Sequence, residues 1–276
     1  MPELPEVETI LRDLNPLLKG QTISSLTVHW KNLLENISKE SFSKACIGNK
    51  VTSIKRIGKY LLFTLDNNSS FSLHLRMSGR LLLASNKAEI TPSLSLELRF
   101  ASGFFLQMFD VRHLGKALFF ATRTQQKTFF SSKKFGPDPL TDTFTIEYLK
   151  QKCTKSKQPL KTFLLDQSII AGIGNIYASE ILWTAKLHPT RHGCDLIEKE
   201  ILALFYSIKL ILNKAVEKRG TSISDFFDAL GVAGEFQHFL SVYDRENKIC
   251  PACTKKKIRR SIIAGRSTFF CPGCQK

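Results

Sequence analysis

The sequence predicts an α+β protein of more than one domain, and three observations carry that reading. Short runs with period-two alternation fill the first half of the chain. A helical period takes over after residue 140. The last segment, from about residue 242, is short, basic and carries paired cysteines. A chain of 276 residues is long enough for a real core and for two modest domains. Its 40 lysines and arginines against 24 acids leave a formal net charge of +16. Such a balance points to a partner with a dense negative field, nucleic acid first. No run approaches the ~18 consecutive apolar residues of a membrane span. The opening MPELPEVETI is acidic where a secretory signal would be basic, so a cytoplasmic protein is expected.

Taken in order, the first element is a short helix from Pro5 to Leu18, with prolines near its ends, where proline is tolerated. VTSIKRIGKYLLFTL ends in alternation at Leu61, Phe63 and Leu65, and LSLELRF alternates from Leu94 to Phe100. GFFLQMF and GKALFFA add two apolar runs, and DNNSS and SNKAEITPS read as turns between the strands. Many short strands of this kind predict a sandwich or a barrel. SSKKFGPDPL, residues 131 to 140, is the best linker. Beyond it, Asp195 with Glu198 resembles a capping box. The run that follows puts Ile201, Leu204, Phe205, Ile208, Ile211, Leu212 and Ala215 on one helical face, which reads as core.

Two stretches carry chemistry on their own account. Cys250-x2-Cys253 and Cys271-x2-Cys274 are separated by seventeen residues. That spacing fits a closed four-thiolate zinc site that folds the segment; an iron–sulfur cluster and redox cysteines are the rivals. Between the pairs, TKKKIRRSIIAGRSTFF holds six bases and no acid, a phosphate-facing composition or a solvated basic face. Gly265 before Arg266 predicts a turn that aims that arginine. In AGIGNIYASEIL, a Gly-x-Gly turn leads into a helix with Asn175 at the expected N-cap. Free N–H groups and the helix dipole there suit an anion, although an ordinary tight turn would read the same way.

Taken together, PELPEVE (2 to 8), GKY (58 to 60), HLRMSGRL (74 to 81), DVRHLG (110 to 115), FGPDPL (135 to 140), QSIIAGIGNIYASEIL (167 to 182) and GRSTFFCPGCQ (265 to 275) run nearly end to end. This ordered set closely resembles the formamidopyrimidine-DNA glycosylases, a family of bacterial base-excision repair enzymes. The resemblance implies an N-terminal β-sandwich flanked by helices (1–134), a helix-two-turns-helix region (135–241) and a zinc-finger β-hairpin (242–276). It implies a monomer that binds damaged double-stranded DNA in a cleft and carries one structural Zn2+. It also implies a nucleoid-associated location within the cytoplasm.

The resemblance further implies a role for the acidic start. Met1 is removed, and Pro2 becomes an N-terminal nucleophile with Glu3 as its acid–base partner, while Glu6 positions one of them or simply favours the helix dipole. An α-amine titrates near ~8 and a lysine near ~10.4, so far more of the amino terminus is neutral at pH 7. Lys59 is implied to contact the lesion phosphate and assist β-elimination, and Arg266 to bind phosphate and assist δ-elimination. Met77 matches the residue that fills the void left by a flipped base, Arg112 the one that faces the orphaned base, and Leu114 the neighbouring wedge. Asn175 matches a phosphate clamp, and Lys161 is a further expected phosphate contact.

Three departures stand out. His113 and Leu114 replace the arginine and phenylalanine of DxRRFG; Ser93-Leu94-Ser95-Leu96 takes the place of HDHV; and Arg219, in KRGTSISDF, replaces a common glycine. The activity implied is excision of oxidised purines, 8-oxoguanine and formamidopyrimidines, with strand cleavage by β,δ-elimination. The alternatives are an endonuclease VIII-like enzyme for oxidised pyrimidines and a non-catalytic zinc-finger DNA-binding protein. PELPEVE argues against the first, and Pro2, Glu3 and Lys59 argue against the second.

Overall fold

A computed structural model describes residues 2–85, 90–223 and 226–276. Part of the expected SNKAEITPS turn, residues 86–89, and Met1, Ser224 and Asp225 lie outside the described residues. The chain forms two compact units, residues 1–133 with 218–237, and residues 134–217 with 238–276.

In the first unit, α1 (Leu4–Leu18) forms because Val7, Ile10, Leu14 and Leu18 recur at helical spacing and bury one face. Pro5 sits in its first turn, where no intrahelical N–H is needed. Two four-stranded antiparallel sheets follow. One has the order β1 (Ile23–Val28), β6 (Leu94–Phe100), β7 (Phe105–Asp110), β5 (Gly79–Ala84). The other runs β2 (Val51–Ile57), β3 (Tyr60–Leu65), β4 (Ser70–His74), β8 (Lys116–Phe120). Leu61, Phe63, Phe71 and Leu73 from one sheet share a core with Leu81, Leu96, Leu98, Leu106 and Met108 from the other and with α1. The sandwich reading therefore holds over the barrel. Helices α2 (Lys39–Cys46) and α3 (Arg123–Ser132) flank it, each capped at its start by a side chain, Ser38 and Thr122. Residues 218–237 return to this unit and ion-pair with it through Arg219 and Asp13.

The second unit holds α4 (Ile146–Thr154), α5 (Leu160–Leu165), α6 (Asn175–Thr184), α7 (Glu198–Glu217) and a hairpin of β9 (Arg259–Ile263) and β10 (Arg266–Phe270). The stripe expected on α7 is buried. Its start differs from expectation. Asp195 lies in a 3-10 turn, and Glu200 reaches back to accept the Ile197 N–H at 3.0 Å. Two intervening residues, Leu196 and Ile197, separate Asp195 from the helix, which puts its carboxylate out of capping position. Among the described residues no helix is long and apolar enough to cross a membrane.

Candidate functional site

The acidic start is a buried, reciprocally capped helix N-terminus. The Glu3 carboxylate accepts the Glu6 backbone N–H, and the Glu6 carboxylate accepts the Glu3 N–H at 2.8 Å. Both residues are 1% exposed, so the two carboxyls sit in low-dielectric surroundings next to buried Pro2. The second Glu6 oxygen accepts the Thr221 N–H at 2.8 Å. One turn along α1, Glu8 takes the Arg56 guanidinium at 2.8 Å, and Arg56 donates to the Gly58 carbonyl at 3.2 Å. Lys59 is the next residue, half-buried in the β2–β3 turn. The helix bearing Pro2 and Glu3 is thereby tied to the turn bearing Lys59.

Three cations, Lys59, Arg76 and Lys133, act on His74. His74 pairs in register with Tyr60, whose ring meets it edge-on at 4.5 Å. Burial, helped by the charges of Arg76, Lys59 and Lys133, pushes the His74 imidazole down to about 3. Its Nδ1 accepts the Arg76 N–H at 3.1 Å, which leaves the proton on Nε2. A neutral donor ringed by three cations suits an anionic oxygen. The signal is present in HLRMSG, but only the strand register brings it to Lys59.

Met77 and Leu114 are 48% and 43% exposed, and Arg112, two residues before Leu114, is exposed too. Buried Asp110 holds the two loops together. It accepts the Ser78 hydroxyl at 2.5 Å, the Arg112 N–H at 3.2 Å and the Gly115 N–H at 2.6 Å. An apolar side chain held in water by a buried carboxylate is available as a wedge. His113, at φ 52°, stacks on Trp30 with centroids 4.1 Å apart, so it packs against the sandwich. Leu94, Ser95 and Leu96 are buried in β6 and present no substitute for a phosphate-binding histidine.

In the second unit two expectations change. Gly174 rather than Asn175 is the N-cap of α6, and Asn175 is its first helical residue. Lys161 is fully buried: its ammonium donates to the Asn175 carbonyl and the Ser179 hydroxyl, both at 2.9 Å. A lysine buried with such partners braces Asn175 from behind, in place of the expected phosphate contact. The Asn175 amide donates to the Ser267 carbonyl at 2.9 Å, next to exposed Arg266. Ala264 and Gly265 both have positive φ, 48° and 73°, so the two-residue turn is of the primed kind that matches strand twist and sets Arg266 at its edge. Buried Glu180, which no sequence signal marks, accepts the N–H groups of Ser241, Val242 and Tyr243 at 2.9, 2.9 and 2.8 Å.

The sulfurs of Cys250, Cys253, Cys271 and Cys274 all lie within 4.8 Å of one another. The Cys250–Cys274 and Cys253–Cys271 separations are 3.8 and 3.7 Å. Disulfides would need about 2.05 Å. A tetrahedral ion with bonds of about 2.3 Å spaces its sulfurs by about 3.8 Å, so the donor set and its geometry fit a four-thiolate metal site.

Comparison with known proteins agrees with this architecture. Residues 1–117 match the model of the formamidopyrimidine-DNA glycosylase N-terminal domain, and residues 135–227 that of the formamidopyrimidine-DNA glycosylase H2TH domain. The formamidopyrimidine-DNA glycosylase of Carboxydothermus hydrogenoformans is 43% identical, with both chains covered in full. That of Geobacillus kaustophilus is 37% identical, again over all of both chains. Among solved structures, the Lactococcus lactis Fpg in complex with an abasic-site DNA superposes with a TM-score of 0.92 at 37% identity, covering 99% of each chain. A mutant of that protein with a Fapy-dG-containing DNA reaches 0.93, covering both chains in full at 37% identity. By full-length identity, domain order and fold, this chain belongs to the formamidopyrimidine-DNA glycosylase family.

Proposed function

We propose that the protein is a bifunctional DNA glycosylase and apurinic/apyrimidinic lyase acting on oxidised purines in duplex DNA. The observation that carries this reading is the buried Glu3–Glu6 box that pins the Pro2 end of α1 in a chain of this family. With Met1 removed, the Pro2 nitrogen attacks the sugar C1′. The glycosidic bond breaks, its electron pair leaves with the base, and the base takes a proton. Glu3 takes the proton that the Pro2 nitrogen sheds on bonding to C1′ and passes it to the ring oxygen as the C1′–oxygen bond breaks and the C1′–nitrogen double bond forms. The resulting iminium withdraws electrons, so loss of a C2′ proton expels the 3′ phosphate, and a second elimination expels the 5′ phosphate. The carboxylates around Pro2 oppose the cationic intermediate's charge.

Lys59, one of the three cations that act on His74, takes the lesion phosphate and aids the first elimination, and Arg266 takes phosphate and aids the second. Flipping a base costs a few kcal/mol. Met77 and Leu114 fill the hole, and Arg112 reads the orphaned partner. Asn175, braced by Lys161, serves the phosphate backbone. The four thiolates hold a structural zinc that folds the 242–276 segment; the expected 1–134 catalytic domain gains residues 218–237, and the helices of 134–217 keep the DNA-binding part expected of 135–241. Damaged double-stranded DNA is the partner, and the place of action is the cytoplasm.

The test is borohydride trapping. Untagged protein is mixed with an 8-oxoguanine:cytosine duplex and, separately, with an abasic duplex. The expected result is a covalent adduct whose peptide map ends at Pro2. Protein with a processed Pro2 that gives no adduct on either duplex would contradict the proposal.

A further inference from the structure

Three consecutive residues of the 218–237 segment grip α1 at two places. Thr221 donates its N–H to Glu6 Oε1 at 2.8 Å, and Glu6 Oε2 accepts the Glu3 N–H at 2.8 Å. Gly220, at φ 83°, makes this approach possible; a Cβ there would stand 2.9 Å from Glu6 Oε1. Arg219 supplies the second grip. Its Nη2 donates to both Asp13 oxygens at 2.8 and 2.7 Å, and its Nε donates to Asp228 Oδ2 at 2.7 Å. Asp228 is fully buried, and its other oxygen accepts the Leu230 and Val232 N–H groups at 2.9 and 2.8 Å. Arg219 itself is held at φ 56°, a left-handed conformation that glycine adopts without strain and arginine does not. What the guanidinium binds must offset that strain.

We propose that Arg219 is a positioning residue for the reaction, acting through Thr221 and Glu6 on the Pro2 end of α1. The inference rests on Pro2 being the nucleophile. The Arg219 fork fixes the segment against Asp13 on α1 and against the buried Asp228, which removes its freedom to slide along the helix. The Thr221 N–H is thereby held on Glu6. A buried carboxylate with a donor on each oxygen has its orientation set by both. The Glu3 N–H it receives belongs to the planar Pro2–Glu3 peptide, so fixing that plane fixes the proline ring to within rotation about one bond. Removing the fork frees one end of this chain of contacts, and the ring nitrogen then samples directions that miss C1′.

The test compares wild type with Arg219→Gly, Arg219→Lys and Asp13→Asn, all full-length and untagged. Single-turnover borohydride trapping on an abasic duplex gives a rate constant and an amplitude. DNA affinity and thermal unfolding are measured alongside. A loss of folded protein lowers the amplitude; a misplaced nucleophile lowers the rate constant. Arg219→Gly also relieves the left-handed strain, so it isolates the ion pairs. It is expected to trap about ten- to a hundredfold more slowly, with DNA affinity within about twofold. Arg219→Lys, which keeps the charge without the fork, should fall between the two. If Arg219→Gly does not fold, Asp13→Asn decides the matter: a several-fold slower rate constant supports the proposal, and an unchanged one overturns it. Equal rate constants for wild type and folded Arg219→Gly, with the adduct at Pro2, overturn the positioning role alone. A wild-type adduct at any residue other than Pro2 overturns this inference and the reading beneath it together.

Discussion

In the sandwich, Phe63, Phe71, Leu73, Leu81, Leu96 and Met108 lie fully buried in one core shared by two sheets, whereas the hydrophobic cluster at the cysteine hairpin is built on Val242, Cys250, Ile258, Phe269 and Cys271. Two of those five are metal-competent thiols. Apolar burial at about 25 cal/mol per Å2 can hold the first region together; a segment with so small a core needs another source of folding energy. The difference follows the work of each region. The sandwich end must hold the Pro2 helix still, and it does so with buried carboxylates on backbone N–H groups. The hairpin must show Arg259, Arg260 and Arg266 to solvent, so it has little surface left to bury.

Breaking the metal site should have the largest effect. Cys250→Ser leaves three thiolates, and structural zinc contributes roughly 10–16 kcal/mol of apparent folding energy in small fingers. Zinc content by atomic absorption and DNA affinity should both collapse while the sandwich unfolds at its usual temperature. A variant with full zinc content would remove Cys250 from the ligand set. The converse change, Phe63→Ala, opens a cavity in the sandwich core and should cost about 3–5 kcal/mol in denaturant unfolding while zinc content stays whole. Zinc loss in that variant would mean that the two regions fold as one.

A third change sharpens the contrast through pH. His74 titrates at about 3 in the folded chain against its ordinary 6.5. The unfolded chain therefore takes up the proton first. Stability is full above about 6.5 and is lost as the pH falls towards about 3, by up to about 1.4 kcal/mol per pH unit. His74→Gln should flatten that part of the wild-type profile, and an unchanged difference between the two proteins from neutral to acid pH would show that the imidazole does not titrate there. The smallest effect is expected from Lys161→Met. DNA affinity should fall only a few-fold, by about 1 kcal/mol, through a loosened Asn175. The slope of log affinity against log salt should not change, whereas a lost phosphate contact would lower it by about one.

Local patterns are legible in the chain itself. The alternation of LSLELRF forms β6, the stripe from Ile201 to Ala215 forms the buried face of α7, and the spacing of the four cysteines gathers their sulfurs into one cluster. The motifs also carry Glu3 and Glu6, which cap each other at the start of α1, and Lys59, in the turn to which α1 is tied. Helices α2 and α3 and strand β1 escape such a reading, because ISSLTV and the polar helices have weak patterns and gain their structure from neighbours such as β6. Lys161 misleads for a related reason: a lysine reads as exposed until a carbonyl and a hydroxyl fourteen and eighteen residues away are seen to receive it.

By itself, then, the sequence determined the α+β class, the tail of paired cysteines and the acidic start, which rest on period, spacing and residue type, and its ordered motifs carried the resemblance to the family. Only the tertiary structure decided that Lys59, Arg76 and Lys133 all act on His74, that Asp110 holds the Met77 and Arg112 loops together, and that Arg219 reaches back 206 residues to Asp13. Those contacts depend on strand register and chain return. Hydrogen bonds and ion pairs act over a few ångströms in space, and distance along the chain carries no record of which groups will meet.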